Sequence, residues 1–183
     1  DLWSSAQHPF LVQADIARMF GVTRSQVRLQ VSFLGGGFGG KSYTKFEPLV
    51  VLLSRKAGRP VRLCLSVSEA MVTVRRHGAT VKLKTGVNND GTLTARQAEI
   101  HLDTGAFTEN TQMVAQLAAT RVLGPYRFPH LMSDVYSVHT NAGSAGSFRS
   151  VAGPRMLFAC ESQMDEIATE LGLDPANLRA KNL

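Results

Sequence analysis

The chain has 183 residues, of which 44% are hydrophobic, which is enough to bury the core of one ordinary domain or of two small lobes. Its net charge of +6 suits an anionic partner, but the basic residues are dispersed and no aromatic-interleaved basic stripe occurs, which argues against nucleic-acid binding. Neither an apolar run of about eighteen residues nor a signal-peptide pattern is present, so we expect a cytoplasmic protein with no membrane segment.

The first third of the chain contains helical and strand-like patterns. Helical spacing of apolar residues predicts a helix over 11–20 that ends at Gly21. The alternating stretch QVRLQVSF, 26–33, predicts a half-buried strand that leads directly into a glycine-rich loop. Beyond the loop, the patterns predict a helix over 46–56, a strand over 61–65 and a brief helix with the capping box Ser66 and Glu69.

The remainder of the chain combines a hairpin with helices. Strand patterns over 79–87 and 92–102 flank the turn sequence NNDG, which is typical of a hairpin. The small-residue stretch 104–124 is ambiguous, and alternation resumes as a strand over 132–140. A long helix is predicted over 156–171, and Asp174 with Pro175 begins another. We therefore expect an α+β fold with mixed sheets, antiparallel hairpins and packed helices.

The two cysteines and the chain ends give two further expectations. Cys64 lies in an apolar strand-like run and Cys160 in a helical one, without Cys-x-x-Cys spacing, so we expect both to be buried and to serve in packing. The chain begins without a methionine and stops inside a helix-like run, so we expect a fragment of a longer polypeptide.

The loop LGGGFGGKS, 34–42, satisfies three motifs. It fits the phosphate-binding P-loop pattern, with Lys41 and Ser42 in its last places, and it also fits the dinucleotide fingerprint G-x-G-x-x-G. In a third interpretation, the glycines bring bare backbone N–H groups close to another anionic or oxo ligand, with Phe38 at the centre of the loop.

The surrounding sequence favours the third interpretation. A P-loop strand is covered on both faces and reads as a continuous apolar run, whereas 26–33 alternates polar and apolar residues. The candidate Mg²⁺-binding aspartate of a P-loop protein, Asp103, falls in the predicted hairpin. The dinucleotide motif needs an acid about twenty residues further on, and the stretch RKAGRPVRL has none. A P-loop NTPase stays open as the competing class.

The ordered phrases of the whole chain resemble those of the molybdenum hydroxylases, the relatives of xanthine dehydrogenase, aldehyde oxidase and carbon monoxide dehydrogenase. The similarity rests on GGGFGGK after an alternating strand, a glutamine about thirty residues earlier and an FR pair about a hundred residues later. The phrases KAGRPVRL, NNDGTL, DTGAF, GPYRFPH and MDEIATELGLDPANLRAKNL follow in family order. The resemblance implies that residues 1–183 are a molybdopterin-binding domain fragment of a large subunit.

The resemblance assigns cofactor-binding roles to residues near the glycine loop. Gln7 matches the glutamine whose amide donates a hydrogen bond to the oxo ligand of molybdenum. The residues that match the loop facing the pterin and the metal's oxo group are Gly36, Gly37, Phe38 and Gly39. Clustered N–H donors would orient these electron-rich ligands.

The resemblance also places an active site around a later loop. Arg149 matches the active-site arginine, beside the cofactor, and Phe148 and Val151 would line the substrate pocket. Two positions depart from the purine-oxidising members, because Ser42 stands where they have a glutamate and Leu117 where they have an arginine. Both polar anchors for a purine ring are absent, which favours an aldehyde or a nitrogen heterocycle as substrate.

The resemblance implies further components outside the chain. The implied cofactor is molybdopterin, either in its simple form or as the cytosine dinucleotide, and we assign no side chain as a direct metal ligand. Iron–sulfur clusters and FAD are expected on partner domains or subunits, and the catalytic glutamate on the missing part of the large subunit. Glu161 and Glu166 are expected to be structural or solvated. The fragment would be inactive alone, and a non-catalytic scaffold that has lost the cofactor stays open as a third class.

Overall fold

The computed structural model describes residues 1–183, which divide into two compact units, Asp1–Val74 and Arg75–Leu183. The first unit contains, in chain order, β1 (Leu2–Trp3), α1 (Pro9–Phe20), a 3₁₀ turn (Arg24–Gln26), β2 (Leu29–Gln30), α2 (Glu47–Ala57) and α3 (Val67–Met71). The second contains β3 (Gly78–Val87), β4 (Leu93–Gly105), α4 (Thr111–Arg121), β5 (His130–His139), α5 (Gly153–Leu171) and α6 (Pro175–Asn182). None of these helices combines the length and apolarity needed to cross a bilayer.

The first unit is organised around α1. Val12 and Ile16 lie one turn apart on the same face of the helix and are buried in a small core with Leu2 and Ala6. The helix ends at Gly21, whose φ of 65° is left-handed, as the sequence predicts. The strands β1 and β2 pair in parallel over only two residues each, with Leu2 opposite Leu29.

Two strand predictions in the first unit are wrong. The predicted strand 26–33 shrinks to β2, because β1 offers only two residues to pair with, and Phe33 is 97% exposed. The predicted strand 61–65 forms no ladder at all, and Cys64 within it is exposed rather than buried. Alternation and apolarity describe a suitable strand, but a strand also needs a partner of matching length. The predictions of α2 and of α3 with both halves of its capping box are confirmed.

The second unit is a three-stranded sheet with helices packed on it. The central strand β4 pairs antiparallel with β3 and parallel with β5. Its residues Ala98, Ile100 and Leu102 alternate into a core and are fully buried against α4 and α5. The predicted hairpin and the strand of β5 are confirmed, and the ambiguous stretch 104–124 contains α4.

A second core cluster joins α5 and α6 to the hairpin. It includes Leu93, Tyr126, Met164 and Leu178 together with Cys160, which is buried as predicted. At its edge Glu161 accepts hydrogen bonds from the Tyr126 hydroxyl at 2.8 Å and from Arg179 Nε at 2.8 Å, while Glu166 is exposed on α5. These positions agree with the structural and solvated roles expected for the two glutamates.

Arg96 of β4 is the largest fully buried side chain, with 1% of its surface exposed. Its guanidinium donates to the carbonyls of Val122 and Leu123 at 3.1 and 3.3 Å, and it lies over the Phe128 ring at 4.4 Å. It also contacts three side chains of β3 and α5, namely Thr85, Cys160 and Gln163. No carboxylate is among its partners, so the charge is stabilised by dipoles and by the negative end of α4.

Candidate functional site

Gln7 is fixed against the glycine loop in the first unit. Its backbone N–H donates to the Lys41 carbonyl at 2.7 Å. Its side-chain oxygen Oε1 accepts from the Gly39 N–H at 3.1 Å and from the Ser42 hydroxyl at 3.3 Å. Both side-chain hydrogen bonds therefore end on the amide oxygen, and the amide NH₂ group has no partner within the chain.

The close approach of the loop to Gln7 requires glycine. A Cβ atom on Gly37 would overlap the side-chain amide of Gln7, and one on Gly36 would lie 2.6 Å from the Phe38 ring. Phe38 and Gly39 have left-handed φ values of 51° and 92°, which turn the chain back towards Ser42. The glycines thus shape a loop that wraps around one particular side chain.

The loop and Gln7 together present a set of hydrogen-bond donors. The backbone N–H groups of Gly36 and Gly37 make no hydrogen bond within the protein, in addition to the NH₂ group of Gln7. The ring of Phe38 is 66% exposed beside them. Such a donor set fits an electron-rich group with oxygen or sulfur acceptors, as expected for a molybdopterin. No cluster of three His, Cys, Asp or Glu side chains could hold a metal ion directly.

Two neighbours give this arrangement its rigidity. Ser42 is only 6% exposed, and its hydroxyl points to Gln7. The Ser42 carbonyl lies 2.8 Å from His8 Nδ1. The family resemblance implies that Ser42 borders the substrate pocket, and it does not single out His8. The support that both residues give to Gln7 depends on contacts across 34 or 35 positions of sequence, which no local pattern reports.

The geometry of the loop does not match a phosphate-binding P-loop. In a P-loop the lysine and the serine or threonine open a helix directly after the glycines. Here Lys41 lies in a turn, the Ser42 hydroxyl bonds Gln7, and α2 begins only at Glu47. The competing interpretation as an NTPase therefore has no structural support.

The loop that contains Phe148 and Arg149 lies in the second unit, directly before α5. Phe148 is 45% exposed, and Arg149, Ser150 and Ala152 have left-handed φ values of 26°, 63° and 60°. Val151 is half-buried and packs against the core of this unit. Three of four successive non-glycine residues thus have positive φ, which marks a strained backbone segment. Such segments are often found at functional sites.

Leu117 is half-buried on α4 and packs against the same core as Val151. The sequence-predicted residues are thus divided between the units. Gln7, Ser42 and the glycine loop belong to the first unit, while Leu117 and the Phe148 loop belong to the second.

A basic cluster surrounds the start of β3. His77 is 2% exposed, and its Nε2 lies 2.8 Å from the Thr111 hydroxyl. Burial, as the larger cause, and repulsion from Arg155 and Arg75 lower the pKa of His77 to about 4, so His77 is neutral at pH 7. Burial and the nearby Arg76 lower the pKa of Arg155 to about 10. Hydrogen bonds from Thr140, from the Gly105 N–H and from Arg75 lower the pKa of Asp103 to about 2, so this carboxylate is charged at pH 7.

Comparisons with known proteins place this geometry in a family. The model of the molybdopterin cofactor-binding domain matches residues 1–183. The chain belongs to this family. The mixed helices and sheets are those of molybdenum-cofactor-binding domains, and the cofactor of the family is a molybdopterin.

Individual members of the molybdopterin-binding family cover nearly the whole chain. The xanthine dehydrogenase molybdenum-binding subunit of Escherichia coli O157:H7 is 35% identical over 183 residues, which cover 98% of this chain and 24% of that protein. The nicotinate dehydrogenase large molybdopterin subunit of Eubacterium barkeri is 35% identical over 97% of this chain and 42% of its own. The structure of the aldehyde oxidoreductase from Desulfovibrio gigas superposes with a TM-score of 0.93, at 30% identity over 98% of this chain and 20% of that one. The chain spans less than half the length of each of these relatives.

Proposed function

We propose that this chain is one domain of the large subunit of a molybdenum hydroxylase and that it holds the molybdopterin there. The observation that carries the proposal is the fixed amide of Gln7. Gly39 and Ser42 bind its oxygen, so its NH₂ group is a pre-oriented donor beside the unpaired N–H groups of Gly36 and Gly37. Donors that are fixed before the ligand arrives need no reorganisation when it binds.

The cofactor, when bound, supplies the two-electron oxidation chemistry, and the chain's own residues orient it. Gln7 and the loop from Gly36 to Gly39 would donate hydrogen bonds to its electron-rich ligands. Arg149 would present a cationic group beside the cofactor and the substrate. Phe148 and Val151 would form apolar walls of the substrate pocket.

We further propose an aldehyde or a nitrogen heterocycle as substrate. Neither Ser42 nor Leu117 offers a charge for a purine ring, and the hydroxyl of Ser42 is already bonded to Gln7. The relatives include enzymes named for nicotinate and for aldehydes, which are an aromatic nitrogen heterocycle and a carbonyl compound. A neutral pocket discriminates against purines because their polar edges would be left unpaired.

The remaining components lie on other parts of the assembly. The chain spans 20 to 42% of the length of the three relatives compared above. We propose that the rest of the large subunit supplies the catalytic base, and that iron–sulfur and FAD modules on partner domains or subunits carry the electrons away. The domain would then be inactive alone, and its pterin is either the simple form or the cytosine dinucleotide.

The test is the molybdenum and pterin content of the intact parent protein, purified anaerobically from cells that make the cofactor. We expect about one molybdenum and one pterin per chain in the wild type. The variant Gln7→Ala removes the oriented donor. Its molybdenum content should be at least about threefold lower than that of the wild type, or its kcat at least about tenfold lower. Gln97→Ala, which changes an exposed glutamine of β4, is the matched control and should retain both. A wild-type protein without molybdenum would contradict the proposal and favour the third class, a non-catalytic scaffold that has lost the cofactor.

A further inference from the structure

The segment Phe148–Ala152 adopts a conformation that its own residues do not favour. Arg149, Ser150 and Ala152 all have positive φ, although none is glycine. Such a segment keeps its shape only when surrounding groups bind it in that shape. The contacts that hold it are therefore of functional interest.

Arg121 supplies the first of these contacts. It lies in the last turn of α4, one turn after Leu117, and its Nη1 donates to the Ser150 carbonyl at 2.8 Å and also to the Val151 carbonyl. The guanidinium is planar and rigid, so it binds two successive carbonyls at a defined orientation.

Arg76 supplies the second contact, from the residues just before β3. Its Nη2 donates to the Arg149 carbonyl at 3.1 Å, and its guanidinium lies 5.2 Å from the centre of the Phe148 ring. This cation–π contact orients the ring while the hydrogen bond holds the backbone. Three successive carbonyls, of Arg149, Ser150 and Val151, are thus bound by arginine side chains.

Two further observations concern the surroundings of these two arginines. Neither Arg76 nor Arg121 forms an ion pair with a carboxylate, so the loop carbonyls are their main polar partners. A Cβ atom on Gly153 would lie 2.7 Å from the Ser150 hydroxyl and 3.5 Å from Arg121 Nη1. Glycine at this position leaves room for the loop to close on the guanidinium.

We propose that Arg76 and Arg121 are positioning residues that clamp the Phe148–Ala152 loop through its carbonyls. The clamp fixes where the side chains of Phe148 and Arg149 point, and Arg121 couples that placement to the helix that carries Leu117. The effect on the reaction rests on the proposed function, whereas the effect on the loop does not. The two effects can therefore be measured separately.

The first measurement is hydrogen exchange of the intact parent protein as purified, whether or not it carries the cofactor. The Gly153 N–H donates to the Ser150 and Val151 carbonyls at 2.7 and 2.8 Å, so its exchange reports whether the loop is closed. We expect exchange in the peptide 148–153 to be at least tenfold faster in Arg121→Ala and in Arg76→Ala, with an intermediate value in Arg121→Lys. Arg127→Ala, at an exposed arginine six positions after Arg121, is the control. Unchanged exchange in both alanine variants would overturn the clamp.

The second measurement is the steady-state kinetics of the same variants. Misplaced side chains at a reacting centre lower kcat by about ten- to a hundredfold, with a smaller change in KM. Arg121→Lys should recover part of this loss, and Arg127→Ala should show none. Faster exchange without any change in kcat would keep the clamp but reject the assignment of the loop to the active site. If Arg121→Ala does not fold, Arg121→Lys and Arg76→Lys provide the same two comparisons.

Discussion

Individual residues in the first unit are used for more than one purpose at once. Gln7 accepts two hydrogen bonds on its oxygen so that its nitrogen is left as a donor. Ser42 anchors Gln7 with its hydroxyl and His8 with its carbonyl. Because each group serves as a support for another, a change at one position is expected to disturb its neighbours.

Gly37→Ala should test how tightly the loop depends on Gln7. The new Cβ would overlap the Gln7 amide, which must rotate away and lose its bonds to Gly39 and Ser42. We expect the molybdenum content of the intact subunit to fall at least threefold, with little loss of global stability because a flexible side chain can move. Gly35→Ala, where a Cβ would meet nothing within 4 Å, should bind molybdenum normally. Equal molybdenum contents in the two variants would refute this coupling.

The elements of the chain show where sequence patterns succeed and where they fail. The hairpin, α1 and the start of α6 follow from local signals, namely NNDG, Gly21 and the N-cap Asp174, and all are present. The strand 61–65 and the full length of 26–33 were wrong because pairing depends on a distant partner. The family resemblance proposes Gln7 and Arg149 as site residues. No pattern indicates that Arg76 and Arg121 bind carbonyls, because every residue carries a backbone carbonyl.

The attachment of α6 to the hairpin gives an element-scale prediction. Asn182 is 5% exposed, its Oδ1 accepts from the Leu93 N–H at 2.9 Å, and its Nδ2 donates to the Gly91 and Leu178 carbonyls at 2.9 and 2.8 Å. Asn182→Ala leaves these buried groups unpaired, so the free energy of unfolding should fall by about 2–4 kcal/mol. Urea denaturation should show Asn177→Ala, at an exposed position of the same helix, within about 0.5 kcal/mol of wild type. A comparable loss in both variants would contradict this role.

At the scale of the whole molecule, the first unit exposes many large apolar side chains. The most exposed are Phe33 at 97%, Val72 at 83%, Phe10 at 79%, Val67 at 78% and Met71 at 77%. Three of them, Val67, Met71 and Val72, lie within six consecutive positions, and a contiguous exposed apolar patch often marks an interaction surface. The observation agrees with our proposal that the chain is one domain of a larger subunit, whose other parts would cover these residues.

This proposal predicts opposite effects of polar substitutions in the isolated chain and in the intact subunit. Met71→Lys with Val72→Lys should reduce binding of a hydrophobic dye and aggregation of the isolated 183-residue chain, because it removes exposed apolar surface. In the intact subunit the same pair should lower the yield of folded protein several-fold, because it buries two charges. The control pair Gln97→Lys with Ala180→Lys, at exposed positions, should do neither. An unaffected yield of the intact subunit would show that this surface stays open to solvent.

The burial of Arg96 also constrains how the second unit assembles. Its guanidinium needs the carbonyls at the end of α4, the Thr85 hydroxyl of β3 and the side chains of Cys160 and Gln163 on α5. Until all of these elements are in place, a permanent charge would lie in a partly formed apolar core without enough dipoles around it. Intermediates that lack α4 or α5 are therefore penalised. The second unit should therefore fold and unfold as one cooperative block, because the buried Arg96 is stabilised only when β3, α4 and α5 are all packed around it.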